Sequence, residues 1–176
     1  MLFSTFGPFL LPRDSSGGID FSRDPKKAFW DTVNAAEDGL GQACGCYVVA
    51  ASGGRGTLPH YVGLTEGNSF KNECSAPHVL AHFNTIVQSN AKRQPSLFLI
   101  AKRTPTGRFS KPAKKRHPDI RFLENYLIAL ALERNDDLLN KRKTRFLREM
   151  KVEGLLNGGQ GRPADAAGKL RVMLGR

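Results

Sequence analysis

The stretch GCYVVAASGGRGTLPHYVGL, residues 45–64, decides how this chain is read. Its first seven residues are β-branched, aromatic and small, a composition that suits a strand. The next six, SGGRGT (residues 52–57), concentrate glycine and serine, which punctuate turns. HYVGL at 60–64 then returns to β-type residues, so the segment is predicted to form a hairpin.

Downstream, Val79, Leu80, Phe83, Ile86 and Val87 recur at helical spacing, predicting a helix over 77–88. SLFLIA at 96–101 is a third strand, and 120–134 is a second long helix. Its buried side is read as Phe122, Leu123, Tyr126, Leu127, Leu130 and Ala131. The order β-β-α-β-α is too short for a doubly wound fold. It predicts a mixed α/β (α+β) domain with a small three-stranded sheet flanked by helices.

Additions are expected at both ends. Residues 1–23 show no sustained period and read as an irregular arm. Asp24-Pro25 is a good helix start, with Phe29, Trp30, Val33 and Ala36 at helical spacing and Gly39 as a stop. The organisation is therefore 1–42 as arm and helix, 43–145 as the central domain, and 146–176 as a basic C-terminal extension. The tail from Lys141 carries ten basic residues and three acids, with a break at Gly158, Gly159 and Gly161 and a short helix expected over 164–174. No internal repeat is visible.

Lysine and arginine number 27 against 16 acids, a formal charge of +11 and a pI near 10. Such an excess favours polyanionic partners through counterion release, with ribosome association or simple solubility as the blander reading. The charge is concentrated at 102–117, where Lys102, Arg103, Arg108, Lys111, Lys114, Lys115 and Arg116 occur with no acid among them. Prolines 105 and 112 lead us to expect a flexible basic loop suited to phosphate contacts, with Phe109 available to stack on a base.

No apolar run approaches the roughly 18 residues that span a membrane. The apolar residues 1–12 lack the basic start and small-residue cleavage site of a signal peptide. Three cysteines, an odd number, argue against a disulfide framework. A cytoplasmic location is expected.

Gly45-Cys46-Tyr47 and Tyr61-Val62-Gly63 lie on adjacent predicted strands. Glu124 follows inside the amphipathic helix FLENYLIALAL, and Asn140 comes just past its end. In that order and context the four positions resemble the signature of the GIY-YIG nuclease superfamily, over residues 43 to 145, in a bacterial branch. The resemblance implies a metal-dependent endonuclease that hydrolyses phosphodiester bonds in DNA. It implies Glu124 as ligand for Mg²⁺ or Mn²⁺, Tyr47 and Tyr61 positioning or activating water, and Asn140 bracing the site. The alternative is a catalytically weak or inactive DNA- or RNA-binding module on the same fold.

Each residue also has a plain reading. Without the resemblance Glu124 is an exposed helix glutamate, and the tyrosines are two sheet aromatics packing across a hairpin. The family carries an Arg on the helix after the second strand, often with a His one turn later. Here the corresponding pair is His78 and His82, which share a helix face and would contact phosphate, and Lys71 just upstream is a further cation. His60 is expected on the opposite side of its strand from Tyr61. Cys44, Cys46, Cys74 and His78 also offer zinc-ligand chemistry, but Cys-x-Cys is not a usual zinc spacing, and buried free thiols are the commoner case.

Overall fold

The computed structural model describes residues 1–54, 56–89, 92–115, 117–140, 144–152 and 165–175. The chain divides into two compact units, Met1–Asn140 and Lys141–Arg176. In the first, β1 (Leu2–Leu10) precedes α1 (Arg23–Ala36) and a single 3₁₀ turn at Leu40–Gln42. The hairpin follows as β2 (Gly45–Gly53) and β3 (Gly56–Thr65). Then come α2 (Phe70–Glu73), α3 (Pro77–Ser89), β4 (Gln94–Arg103) and α4 (Pro118–Arg134). The second unit holds α5 (Arg145–Glu149) and α6 (Asp165–Met173). The glycine break expected at 158–161 lies outside the described residues. No helix among them is long and apolar enough to cross a membrane.

The fold is mixed α/β, but the sheet has four strands rather than three, all antiparallel, in the order β1-β4-β2-β3. The extra strand is the N-terminal segment that looked irregular. Its register slips between Phe6 and Phe9, around Gly7-Pro8, and this interrupts the alternation that would have marked it. Proline is tolerated there because β1 is an edge strand.

Alternation along the strands sends side chains to two faces. One face carries Tyr47, Val49, Leu97 and Leu99, and packs with Trp30 and Val33 of α1 and Val79, Phe83 and Ile86 of α3. The other carries Cys44 and Cys46, which pack with Ile120 of α4. Gly45 has no room for a side chain, because a Cβ there would run into the Ile100 carbonyl of β4.

The orientation of α4 is a second correction. Its buried stripe is Ile120, Glu124, Ile128, Ala131 and Leu132, whereas Phe122, Tyr126 and Leu130 are exposed. Apolar residues occupy both sides of this helix, so periodicity alone could not say which side faces the sheet.

The segment expected as a loose basic loop is partly ordered by hydrogen bonds. Lys102 and Arg103 belong to β4, and Thr104–Arg108 closes a tight turn (Thr104 N to Arg108 O, 2.8 Å; Gly107 N to Thr104 O, 2.9 Å). The Arg103 guanidinium donates to both Glu37 oxygens (2.8 and 2.6 Å) and to the Ser4 hydroxyl (2.7 Å), and it lies over the Phe109 ring. An Arg103→Ala variant therefore loses a bidentate pair and a stacking contact together, and its thermal midpoint should fall below that of Arg108→Ala. Equal midpoints for the two variants would contradict this account of the turn.

Candidate active site

The hairpin register sets Tyr47 opposite Gly63 and Val49 opposite Tyr61, so the two tyrosines are diagonal neighbours on one face. Their ring centroids are 6.2 Å apart. Gly63 is part of this arrangement: a Cβ at that position would occupy the space of the Tyr47 ring. Gly63→Ala should therefore displace the ring and destabilise the domain by about 1–3 kcal/mol, the usual range for overpacking. An unchanged denaturation midpoint would show that the ring has room to move.

Tyr47 is buried in the central strand, and Tyr61 is half-buried on the edge strand. The two phenols lie close enough to perturb each other's ionisation. Burial holds the Tyr47 phenol far above its ordinary value, aided by the fields of Cys74, Tyr61 and Glu73. Tyr61 is also raised, first by burial and then by the Glu124 carboxylate, while its Tyr47 neighbour works in the opposite direction. Both phenols are protonated at neutral pH in the absence of an added cation.

Glu124 thus exerts its field on Tyr61 although it comes from a helix packed on the other face. It is 9% exposed and lies between Ile120 and Ile128 on the buried stripe. That position departs from the plain expectation of a solvated helix glutamate.

His82 of α3 stacks on Tyr61, with centroids 4.3 Å apart and planes within 22°. His78, one turn earlier, is exposed, and its Nε2 lies 3.4 Å from Oε1 of Glu73. Glu73 is the residue that sequence reasoning missed. Its charge is felt by both tyrosines, and its other oxygen lies 3.5 Å from the Asn68 amide nitrogen, which donates to it. It sits on the four-residue helix α2, too short to leave a periodic signal in the sequence.

Asn140 clamps the outer edge of β3. Its Oδ1 accepts from Val62 N (2.8 Å) and its Nδ2 donates to Val62 O (2.7 Å), while Leu139 N donates to His60 O (2.8 Å). The residue between Tyr61 and Gly63 is thereby fixed. His60 turns away from the tyrosines: Arg93 Nη1 lies 3.3 Å from its Nε2, and Asn135 Nδ2 lies 3.4 Å from its Nδ1.

Burial lowers the pKa values of both His60 and His82, reinforced by Arg93 for His60 and by His78 for His82. A histidine depressed in the folded state stabilises fully above its ordinary value of about 6.5 and loses that contribution as pH falls below it. The urea midpoint should therefore drop between pH 7.5 and 5.5, and His60→Gln should lessen the drop. A midpoint that rises on acidification would reverse the assigned sign.

The cysteines do not form a zinc site. Cys44 and Cys46 lie on the α4 face, with Sγ atoms donating to the carbonyls of Ser110 (3.4 Å) and Ile120 (3.3 Å), while Cys74 is buried in the core on the opposite face. Burial pushes the Cys44 thiol up to about 11.

The basic residues divide by environment. Lys102 Nζ is 2.8 Å from both Asp119 oxygens and 3.0 Å from His117 Nδ1, and Arg103 is engaged as described above. Both are therefore spent largely on internal pairing. Arg108, Lys111, Lys114 and Lys115 are exposed, Lys71 on α2 is half-exposed, and Arg116 lies outside the described residues. Comparison with family models, curated proteins and solved structures gives no match.

Proposed function

We propose that the chain is a divalent-metal-dependent phosphodiesterase, an endonuclease of the GIY-YIG type that takes DNA as substrate. The observation that carries this reading is convergence. Tyr47 and Tyr61 share one face with ring centroids 6.2 Å apart, His82 stacks on Tyr61, and Glu124, from a separate helix, is nearly buried and raises the Tyr61 pKa. A glutamate that served only to solvate the helix surface would have no need of that burial.

The donor chemistry fits Mg²⁺ or Mn²⁺. Glu124 offers hard oxygen ligands to such an ion. That suits an ion held by one carboxylate, waters and a substrate phosphate rather than by a protein cage. When bound, the ion would supply Lewis acidity for the phosphate and the leaving oxygen.

The chain's own groups do the rest. Tyr61 orients the attacking water through its hydroxyl, and Tyr47, its diagonal neighbour on the hairpin, fixes the position of the ring. His82 holds the Tyr61 ring by stacking, and the exposed His78 meets the phosphate. Exposed lysines at 111, 114 and 115 supply sequence-independent phosphate contacts. The test is to incubate the chain with duplex and single-stranded DNA and Mg²⁺ or Mn²⁺, beside a Glu124→Ala variant. Metal-dependent cleavage by the parent and little by the variant supports the assignment, and equal cleavage by both sinks it.

One observation favours a second reading, a binding module without catalysis. The helix α3, PHVLAHFNTIVQS, contains no Lys or Arg, and His82 is held toward its neutral form. A site without a fixed cation activates phosphate poorly. This reading predicts salt-sensitive binding of nucleic acid without cleavage under either metal.

A further inference from the structure

The outer face of α4 is not spent on packing. Phe122 is 74% and Tyr126 56% exposed, one helical turn apart on the same side. Phe122 also borders an open groove of about 660 Å³, walled by Phe3, Pro118 and Leu123 and edged by the Lys102–Asp119 ion pair. Exposed aromatics of this size, clustered beside an apolar groove, mark a contact surface rather than scattered surface residues.

The charge around this face says what covers it. The Asp119 carboxylate is already paired with Lys102, and the Lys111 carbonyl lies 3.2 Å from Nε2 of His117, which itself contacts Lys102. The exposed Lys111 is thereby held near the first turn of α4, and Lys114 and Lys115 follow Ala113, whose N–H donates to the Glu66 carbonyl; the Glu66 side chain pairs with Arg121 of that turn. Exposed rings on a helix whose first turn is edged by exposed lysines, with Asp119 and Glu66 both already paired, are complementary to a polyanion that presents flat rings.

We propose that this face is a second nucleic-acid contact, a platform on which unpaired bases of a single strand stack on Phe122 and Tyr126 while the backbone meets the lysines. The proposal rests on the reading of the chain as a nucleic-acid protein, but not on its catalysis. A duplex does not suit the platform, since paired bases already cover each other's ring faces. Residues four apart on a helix are about 6 Å apart along its axis. Stacked bases of one strand are only about 3.4 Å apart. Each ring therefore takes its own base from a strand pulled open. Phe122 and Glu124 lie nearly opposite each other around the helix, which makes the platform distinct from the tyrosine site.

The experiment uses a thymidine-rich single-stranded oligonucleotide carrying one 2-aminopurine, and a duplex of the same length, with the full chain and Phe122→Ala/Tyr126→Ala. The exposure of both rings leaves the fold intact, as circular dichroism should show. The expected result is quenching of 2-aminopurine by the parent chain. In the double variant, single-strand affinity should fall at least roughly tenfold, the lower end for loss of one stacked base, with duplex affinity unchanged. Undiminished single-strand binding by the variant, or equal loss for both ligands, overturns the proposal while leaving the enzyme reading intact. Loss of binding to phosphatidylserine vesicles, with oligonucleotide binding retained, overturns it in favour of a membrane surface. A parent chain that binds neither nucleic acid overturns both readings together.

Discussion

Asn140→Ala should cost about 2–6 kcal/mol of stability, because it leaves two buried main-chain groups without partners at roughly 1–3 kcal/mol each. Val62 presents both its N–H and its C=O outward from the edge strand, and the Asn140 side chain satisfies both at 2.8 and 2.7 Å. The side chain is 8% exposed, so water does not readily take its place. For a domain of this size the thermal midpoint should fall by roughly 5–20 °C. Asn140→Asp keeps the acceptor for Val62 N but faces an oxygen toward Val62 O, and should be no better tolerated. Calorimetry of the two variants checks this, and a midpoint within a degree of the parent would mean that the clamp contributes nothing. Because Val62 separates Tyr61 from Gly63, the same loss should loosen the tyrosine pair.

The second large effect is expected on chemistry rather than stability. Tyr61→Phe removes one hydroxyl from a half-buried ring and retains the stacking on His82 at 4.3 Å. Stability should change by no more than about 1 kcal/mol, the net worth of one hydrogen bond. If Tyr61 positions the attacking water, single-turnover cleavage should fall by about 10²–10⁴-fold, the range for a positioned proton-transfer group. Tyr47→Phe should behave differently: the hydroxyl it loses is on a fully buried ring packed against Tyr61, so stability and rate should decline together. A Tyr61→Phe variant that cleaves at the parent rate would remove the tyrosine from the mechanism.

The hairpin and the two long helices were legible in the sequence because alternation, glycine turns and helical spacing agree at 45–64, 77–88 and 120–134. The fourth strand was not, since Gly7-Pro8 breaks its alternation and edge strands need bury little. The facing of α4 was misread for a different reason. Phe122, Tyr126 and Leu130 form one apolar row and Ile120, Ile128 and Leu132 another, with Glu124 inside the second. Hydrophobicity prefers the row without a charge, but the fold buries the row that contains it.

Among the candidate site residues, the geometry gathers Tyr47, Tyr61 and His82 and sets Asn140 behind them on the edge of β3, while Glu124 acts on Tyr61 through its charge from the helix on the other face. His78 remains at the surface beside Glu73. Glu73 had no sequence signature because its relation to the tyrosines is made by the chain's path, not by spacing. Lys102 and Arg103 read as free charge in a run of bases, yet their partners, Asp119 and Glu37, lie 17 and 66 residues away.

The central claim is that Glu124 and the two tyrosines form a single metal-dependent centre. Its most direct test is anomalous diffraction from crystals of the chain soaked in Mn²⁺. The account predicts a Mn²⁺ peak at the Glu124 carboxylate, on the side toward which the Tyr47 and Tyr61 hydroxyls face, and no such peak in Glu124→Gln. Mn²⁺ bound elsewhere, or an unchanged peak in the variant, would contradict it.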